Sequence, residues 1–174
     1  MRNETEKIVL SGFFISLGAV LAVIFHNLGL GQKISPMHFT VFIAGITLGW
    51  KYGLAVGIIT PLMNAILFGA PPLFPIAVGM SLELATYGVV ISIIYQYVKP
   101  STNNFINIYI ALIISMIVGR IVYGLYYTVV SNIIEYEFGF KIFINSVIIL
   151  SLPGIVFQIL FIPPIVNYLE KKEF

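Results

Sequence analysis

Cysteine is absent from the 174 residues and charge is scarce, with nine Lys plus Arg and seven Asp plus Glu making up 9% of the chain. Without cysteine there is neither a disulfide framework nor a thiolate metal site. So little charge leaves too few polar side chains to cover a water-facing exterior, since soluble domains carry roughly 25% charged residues. The net charge of +2 is small and the basic residues are scattered, so the electrostatic footprint of a nucleic-acid binder is missing. Three motifs are absent as well. With no GxxxxGK[ST] phosphate loop the chain cannot hydrolyse ATP by that route, and with no HExxH and no Ser-His-Asp set it lacks the parts of an intramembrane hydrolase. Uphill transport by such a chain would draw its energy from another protein.

What is present is apolar surface: 59% of residues are hydrophobic and the mean hydropathy is +1.03. An exterior of that kind faces lipid. A spanning helix needs about 20 apolar residues, and six runs can be placed, at Ile8 to Leu28, His38 to Trp50, Leu54 to Phe68, Phe74 to Tyr97, Phe105 to Ser131 and Phe143 to Leu169. The first is long enough to span and has no polar cleavage region after it, so it reads as a retained helix and not a signal peptide. The second and third are short, with Trp50-Lys51-Tyr52-Gly53 as the link between them. The expectation is therefore a single all-α domain over residues 1–174 with six transmembrane helices. Placing the N-terminus in the cytoplasm puts Arg2, Lys7, Lys51, Lys99, Lys171 and Lys172 inside and Lys33 and Lys141 outside, the bias that sets orientation. Both termini are then cytoplasmic.

The outer connections are the elaborate ones. Gly29 to Met37 joins helices one and two, and Gly69-Ala70-Pro71-Pro72-Leu73 joins three and four. Glycine and proline at that density resist helix and set defined turns, and loops on a rigid scaffold are where binding groups sit.

Ionisable groups inside spans are the sharpest functional signal, because a charge at the bilayer centre costs roughly 2.5 to 3.5 kcal/mol even on the lenient insertion scale. Glu83 and Arg120 are the two that stand well inside helices, about 13 Å and 16 Å from the outer ends at 1.5 Å per residue. One reading is a buried pair locking helices four and five. The other is a polar solute held in a cavity, for which Arg120 suits a carboxylate because its fork donates two parallel hydrogen bonds. Tyr123 and Tyr127 share a helical face with Arg120, whereas Tyr126 reads as a member of an interfacial aromatic belt. His38 opens helix two after an outer loop and is a binding candidate. His26 is a weaker one, and no carboxylate at ligand spacing accompanies the two histidines to suggest a metal. Asn64 and Asn145 are polar candidates that equally suit bonds to a neighbouring helix. In helix one Gly12, Ser16 and Ala19 lie on one face and permit close approach by another helix.

The chain resembles the S components, the membrane-embedded substrate-binding subunits of energy-coupling factor (ECF) vitamin transporters. The resemblance is carried in order by Ser35-Pro36-Met37-His38, Ala44-Gly45, Leu48-Gly49-Trp50-Lys51-Tyr52-Gly53, Pro61-Leu62, Phe68-Gly69-Ala70-Pro71-Pro72-Leu73-Phe74-Pro75, Glu83-Leu84-Ala85-Thr86-Tyr87-Gly88 and Gly119-Arg120. It implies a six-helix membrane fold binding one solute near its outer face, beneath the loop joining helices one and two. It implies no enzymatic activity and no cofactor. Its implied partners are a transmembrane coupling protein and two cytoplasmic ATPases, docked through small residues of the first helix, here Gly12, Ser16 and Ala19, although the family's usual alanine pair is not present in that form. Import in the family involves tilting of the whole S component. Helix two lacks the acidic motif that would point to riboflavin, and Arg120 is compatible with a carboxylate vitamin such as pantothenate, with a vitamin B6 form as competitor. The alternatives are an autonomous small-solute transporter or channel and an intramembrane enzyme acting on lipids through Glu83.

Overall fold

In the computed structural model the described residues are 3–98, 103–134 and 151–172. Among them the elements are α1 (Glu4–Asn27), α2 (Gly31–Ile34), α3 (Pro36–Leu48), α4 (Trp50–Phe68), an irregular turn Leu73–Ala77, α5 (Val78–Val98), α6 (Asn104–Ile134) and α7 (Leu152–Lys172). Five helical segments are long and apolar enough to cross a membrane, and α3 is a shorter apolar helix beside them. Six helices thus fit the sequence expectation, and no strand occurs among the described residues.

The centre of the bundle is α3. Eleven of its thirteen residues are buried, as expected of a helix that is apolar on all sides. At 1.5 Å per residue it is about 20 Å long, against a hydrocarbon core of about 30 Å. It packs on α1, α4 and α5, so most of it never meets lipid.

The junction of α3 and α4 corrects one expectation. Trp50 to Gly53 is not a link but the first turn of α4, and the break is confined to Gly49 at φ +99° and ψ 170°. Glycine alone adopts that backbone readily. No atom lies within 4 Å of a Cβ built on Gly49, so any substitution acts through backbone strain alone. Gly49→Ala should lower stability by about 1–3 kcal/mol, measured as a fall in the thermal-unfolding midpoint in detergent.

Of the sixth helix, expected over Phe143 to Leu169, the part from Phe143 to Leu150 lies outside the described residues. Ser151 is a turn residue and α7 starts at Leu152. Pro153 takes the second position of this helix, in the first turn, where its missing N–H is tolerated. Asn145 lies outside the described residues.

Small residues allow the close packing on which the bundle depends. A Cβ on Gly53 would stand 2.7 Å from the Gly88 carbonyl oxygen, and one on Gly57 would stand 2.5 Å from Leu84 and Ala85 backbone atoms, so α4 and α5 touch backbone to backbone. A Cβ on Gly18 of α1 would come within 2.6 Å of Thr40 Oγ1 and 3.0 Å of Thr60 Cγ2. Gly119 of α6 lies against the Tyr87 ring.

The two ends of the bundle differ. At one, Glu4 of α1 accepts a 2.8 Å bond from the Tyr52 hydroxyl of α4, and the Tyr95 hydroxyl of α5 lies 2.6 Å from both Asn104 Oδ1 of α6 and Glu170 Oε2 of α7. Lys7, Lys51 and Lys171 belong to this end. The opposite end gathers the end of α1, the start of α3, the end of α4, the Leu73–Ala77 turn and Ser151 around an opening.

Candidate functional site

The opening leads into a cavity of about 510 Å³. Its mouth is formed by His26, Asn27, Gly31, Phe68, Ala70, Pro71 and Pro72, and its interior by Met37, His38, Ile76, Met80, Glu83, Arg120, Tyr123 and Ser151, among others. Local sequence shapes this end. Gly29 and Gly69 have φ of +70° and +68° and close α1 and α4, the left-handed geometry that glycine tolerates. Ser35, also left-handed at φ 47°, turns the chain from α2 into α3, where Pro36 takes a first-turn position that suits its missing N–H. His38 follows one turn down.

The floor is an ion pair. Arg120 Nη1 lies 2.9 Å from Glu83 Oε1, joining α6 to α5. The same oxygen accepts a 2.6 Å bond from the Tyr87 hydroxyl, one turn along α5. Arg120 Nη2 donates to Ser151 Oγ at 3.2 Å. Glu83 is 2% exposed, whereas the Arg120 side chain is 22% exposed, so the carboxylate is sealed while the guanidinium still reaches the cavity. Burial of this kind is tolerated only because the partners are well placed. His38 Nε2 approaches Glu83 Oε2 at 3.9 Å, too far for a hydrogen bond. Both His38 ring nitrogens are buried and neither makes a well-formed bond. Its ring rests on Tyr87 with centroids 5.4 Å apart.

The residues expected from sequence fall into three groups. His38, Glu83, Arg120 and Tyr123 come together on the cavity. Tyr127 stands behind Tyr123, its ring centroid 4.7 Å away, and Asn64 is fully buried behind Met37, to whose sulfur it donates at 3.6 Å. These two are supports of the wall and not part of its lining. Gly12 and Ser16 are exposed on α1, but Ala19 is 5% exposed and turns no surface outward. Tyr126, read from sequence as a belt residue, is tied inward: its hydroxyl donates to the Pro75 carbonyl at 3.0 Å, and its ring covers Gly79.

Sequence reasoning missed Ser151, Met37, Met80 and Asn27 as wall residues. Ser151 had a signal, since serine two residues before proline marks a helix start. The methionines had none, because an apolar residue in an apolar helix gives no hint of which side faces a cavity.

A helical bundle with membrane-length apolar helices and a charged cavity open at one end defines a membrane protein that holds small molecules. The family model for the ECF transporter, substrate-specific component, matches residues 6–166. The chain belongs to that family. It is accordingly a membrane-embedded subunit of a transporter and not an enzyme, and membership implies a small-molecule substrate and an ECF module of transmembrane and ATPase subunits. No curated protein and no solved structure shows a significant match.

Proposed function

We propose that this protein captures a small vitamin or vitamin precursor at the outer face of the cell membrane for ATP-driven import, with the carboxylate-bearing pantothenate the best candidate and a vitamin B6 form next. The observation that supports this most is the guanidinium of Arg120 at the floor of a cavity of about 510 Å³. That volume falls within the roughly 300–1,000 Å³ usual for small-ligand pockets. Glu83 and Ser151 hold Arg120 in place through one contact to each terminal nitrogen, and a guanidinium has five N–H donors, so it retains donors for a substrate carboxylate. His38 and Tyr123 complete the polar lining, with Tyr127 and Asn64 fixing the wall. Asn145 remains part of the proposed binding set on its sequence position alone.

In this reading the whole chain acts as one unit, and the end carrying Lys7, Lys51 and Lys171 is cytoplasmic, as the positive-inside bias favours. The cavity then opens outward. The exposed face of α1 with Gly12 and Ser16 meets the transmembrane coupling protein, and Ala19 supports that face from within.

Native mass spectrometry of protein purified in mild detergent should reveal a retained small carboxylate. In a thermal-shift series, pantothenate or a vitamin B6 form should raise the unfolding midpoint, because a ligand that binds only the folded state stabilises it. If no water-soluble vitamin produces a shift, the vitamin reading is wrong.

A further inference from the structure

The charges of the floor already balance one another. Glu83 and Arg120 cancel, and a neutral His38 adds nothing. A substrate carboxylate docking on Arg120 introduces one further negative charge beside a carboxylate that is 2% exposed. Uncompensated charge in such a place is strongly disfavoured. The site therefore needs a second positive charge when it is filled.

His38 is placed to supply it. It lies in the same cavity wall, its Nε2 is 3.9 Å from Glu83 Oε2, and neither ring nitrogen is committed to a well-formed bond. A small rotation of either side chain would close that gap to hydrogen-bonding distance. Among the described residues, the other ionisable groups facing it are Glu83 and Tyr87 from α5, Arg120 and Tyr123 from α6, and His26 from α1 at the mouth. The ionisable residues of α4, Lys51 and Tyr52, sit at the far end of the bundle, as do Tyr168, Glu170 and Lys171 of α7.

We propose that His38 is a specificity-determining residue that takes up one proton as an anionic substrate binds, so that the site selects a carboxylate over its neutral analogue. The proton comes from solvent, adds to Nε2, and makes an N–H···O bond to Glu83 Oε2 while Arg120 turns donors to the substrate. Release reverses each step. The inference rests on the reading that a carboxylate occupies Arg120.

The test uses pantothenate and its uncharged alcohol analogue pantothenol as probes of the full-length protein, by calorimetry in two buffers of different ionisation enthalpy. Wild-type protein should take up about one proton per pantothenate and none per pantothenol. Its affinity for pantothenate should fall as pH rises, by at most tenfold per unit, because binding consumes a proton. His38→Gln should abolish the uptake and cut the preference for pantothenate over pantothenol by tenfold or more, and the wild-type proton count stands even if that variant folds poorly. Pantothenate binding with no proton uptake, or uptake that persists in His38→Gln, overturns the role of His38 and leaves the carboxylate reading intact. No binding of pantothenate or of any other vitamin carboxylate by wild-type protein overturns both.

Discussion

Arg120→Ala should weaken carboxylate binding sharply and destabilise the protein at once, and the two effects should separate in a double variant. Removing the guanidinium deletes the only Lys or Arg side chain lining the cavity among the described residues. A hydrogen bond to a charged group contributes about 1.5–3 kcal/mol, so losing a two-pronged contact should weaken a carboxylate ligand about 100-fold. The same change leaves Glu83, 2% exposed, without its counter-charge. Breaking a buried ion pair on one side costs about 3–5 kcal/mol, seen as a large fall in the unfolding midpoint. In Arg120→Ala with Glu83→Gln the orphaned charge is gone, and the amide oxygen can still accept from Tyr87. Stability should recover by at least half while affinity stays low. Recovery of both would mean that Arg120 only holds the helices together and that the ligand contacts something else.

The second large effect should come from α4 against α5. A Cβ on Gly88 would overlap the Gly53 carbonyl, and one on Gly57 would stand 2.5 Å from the Leu84 carbonyl group and the Ala85 nitrogen. Here both colliding parties are backbone, which cannot step aside as a side-chain tip does. Overpacking in a close-packed interior usually costs about 1–3 kcal/mol, and Gly57→Ala or Gly88→Ala should lie at the upper end. Glu83 sits beside Leu84, so forcing α4 and α5 apart should also displace the floor and weaken ligand binding. Gly12→Ala is the contrast. Nothing lies within 4 Å of that Cβ, and the isolated protein should unfold within about 0.5 kcal/mol of wild type. Midpoints in one detergent check all three. Equal, small shifts for the three variants would show that the helices are not in backbone contact at these glycines.

How legible was this in the sequence? The helices were, because apolar runs of membrane length have few alternatives. So were Glu83 and Arg120, since charge within such runs is conspicuous, and their matching depth followed from counting residues along helices entering from one side. Helix rotation was much harder to read. In segments apolar all round, periodicity does not say which face turns inward, which is why Ala19 was grouped with Gly12 and Ser16 without a side being assigned to them, and why Asn64 was read as a candidate for the pocket although it stands behind Met37. The break at Gly49 was blurred for a related reason. Glycine and aromatic residues from Trp50 to Gly53 suggested a link, yet all four are helical and the break falls on Gly49 before them. The short α2 and the placement of Ser151 at the rim depend on contacts between distant segments, such as Gly154 of α7 against the Lys33 and Ile34 backbone, and no local pattern encodes those.

Beneath the Glu83 and Arg120 floor the interior is filled by Phe42, Tyr87, Ile91 and Leu112, each no more than 1% exposed. Among the described residues the well is therefore blind. A passenger resting in it meets a stopper of aromatic and aliphatic side chains and leaves by the way it came unless the walls themselves change place. On the proposed reading, the guest and the cavity wall would have to travel together, since these packed side chains leave it no passage onward.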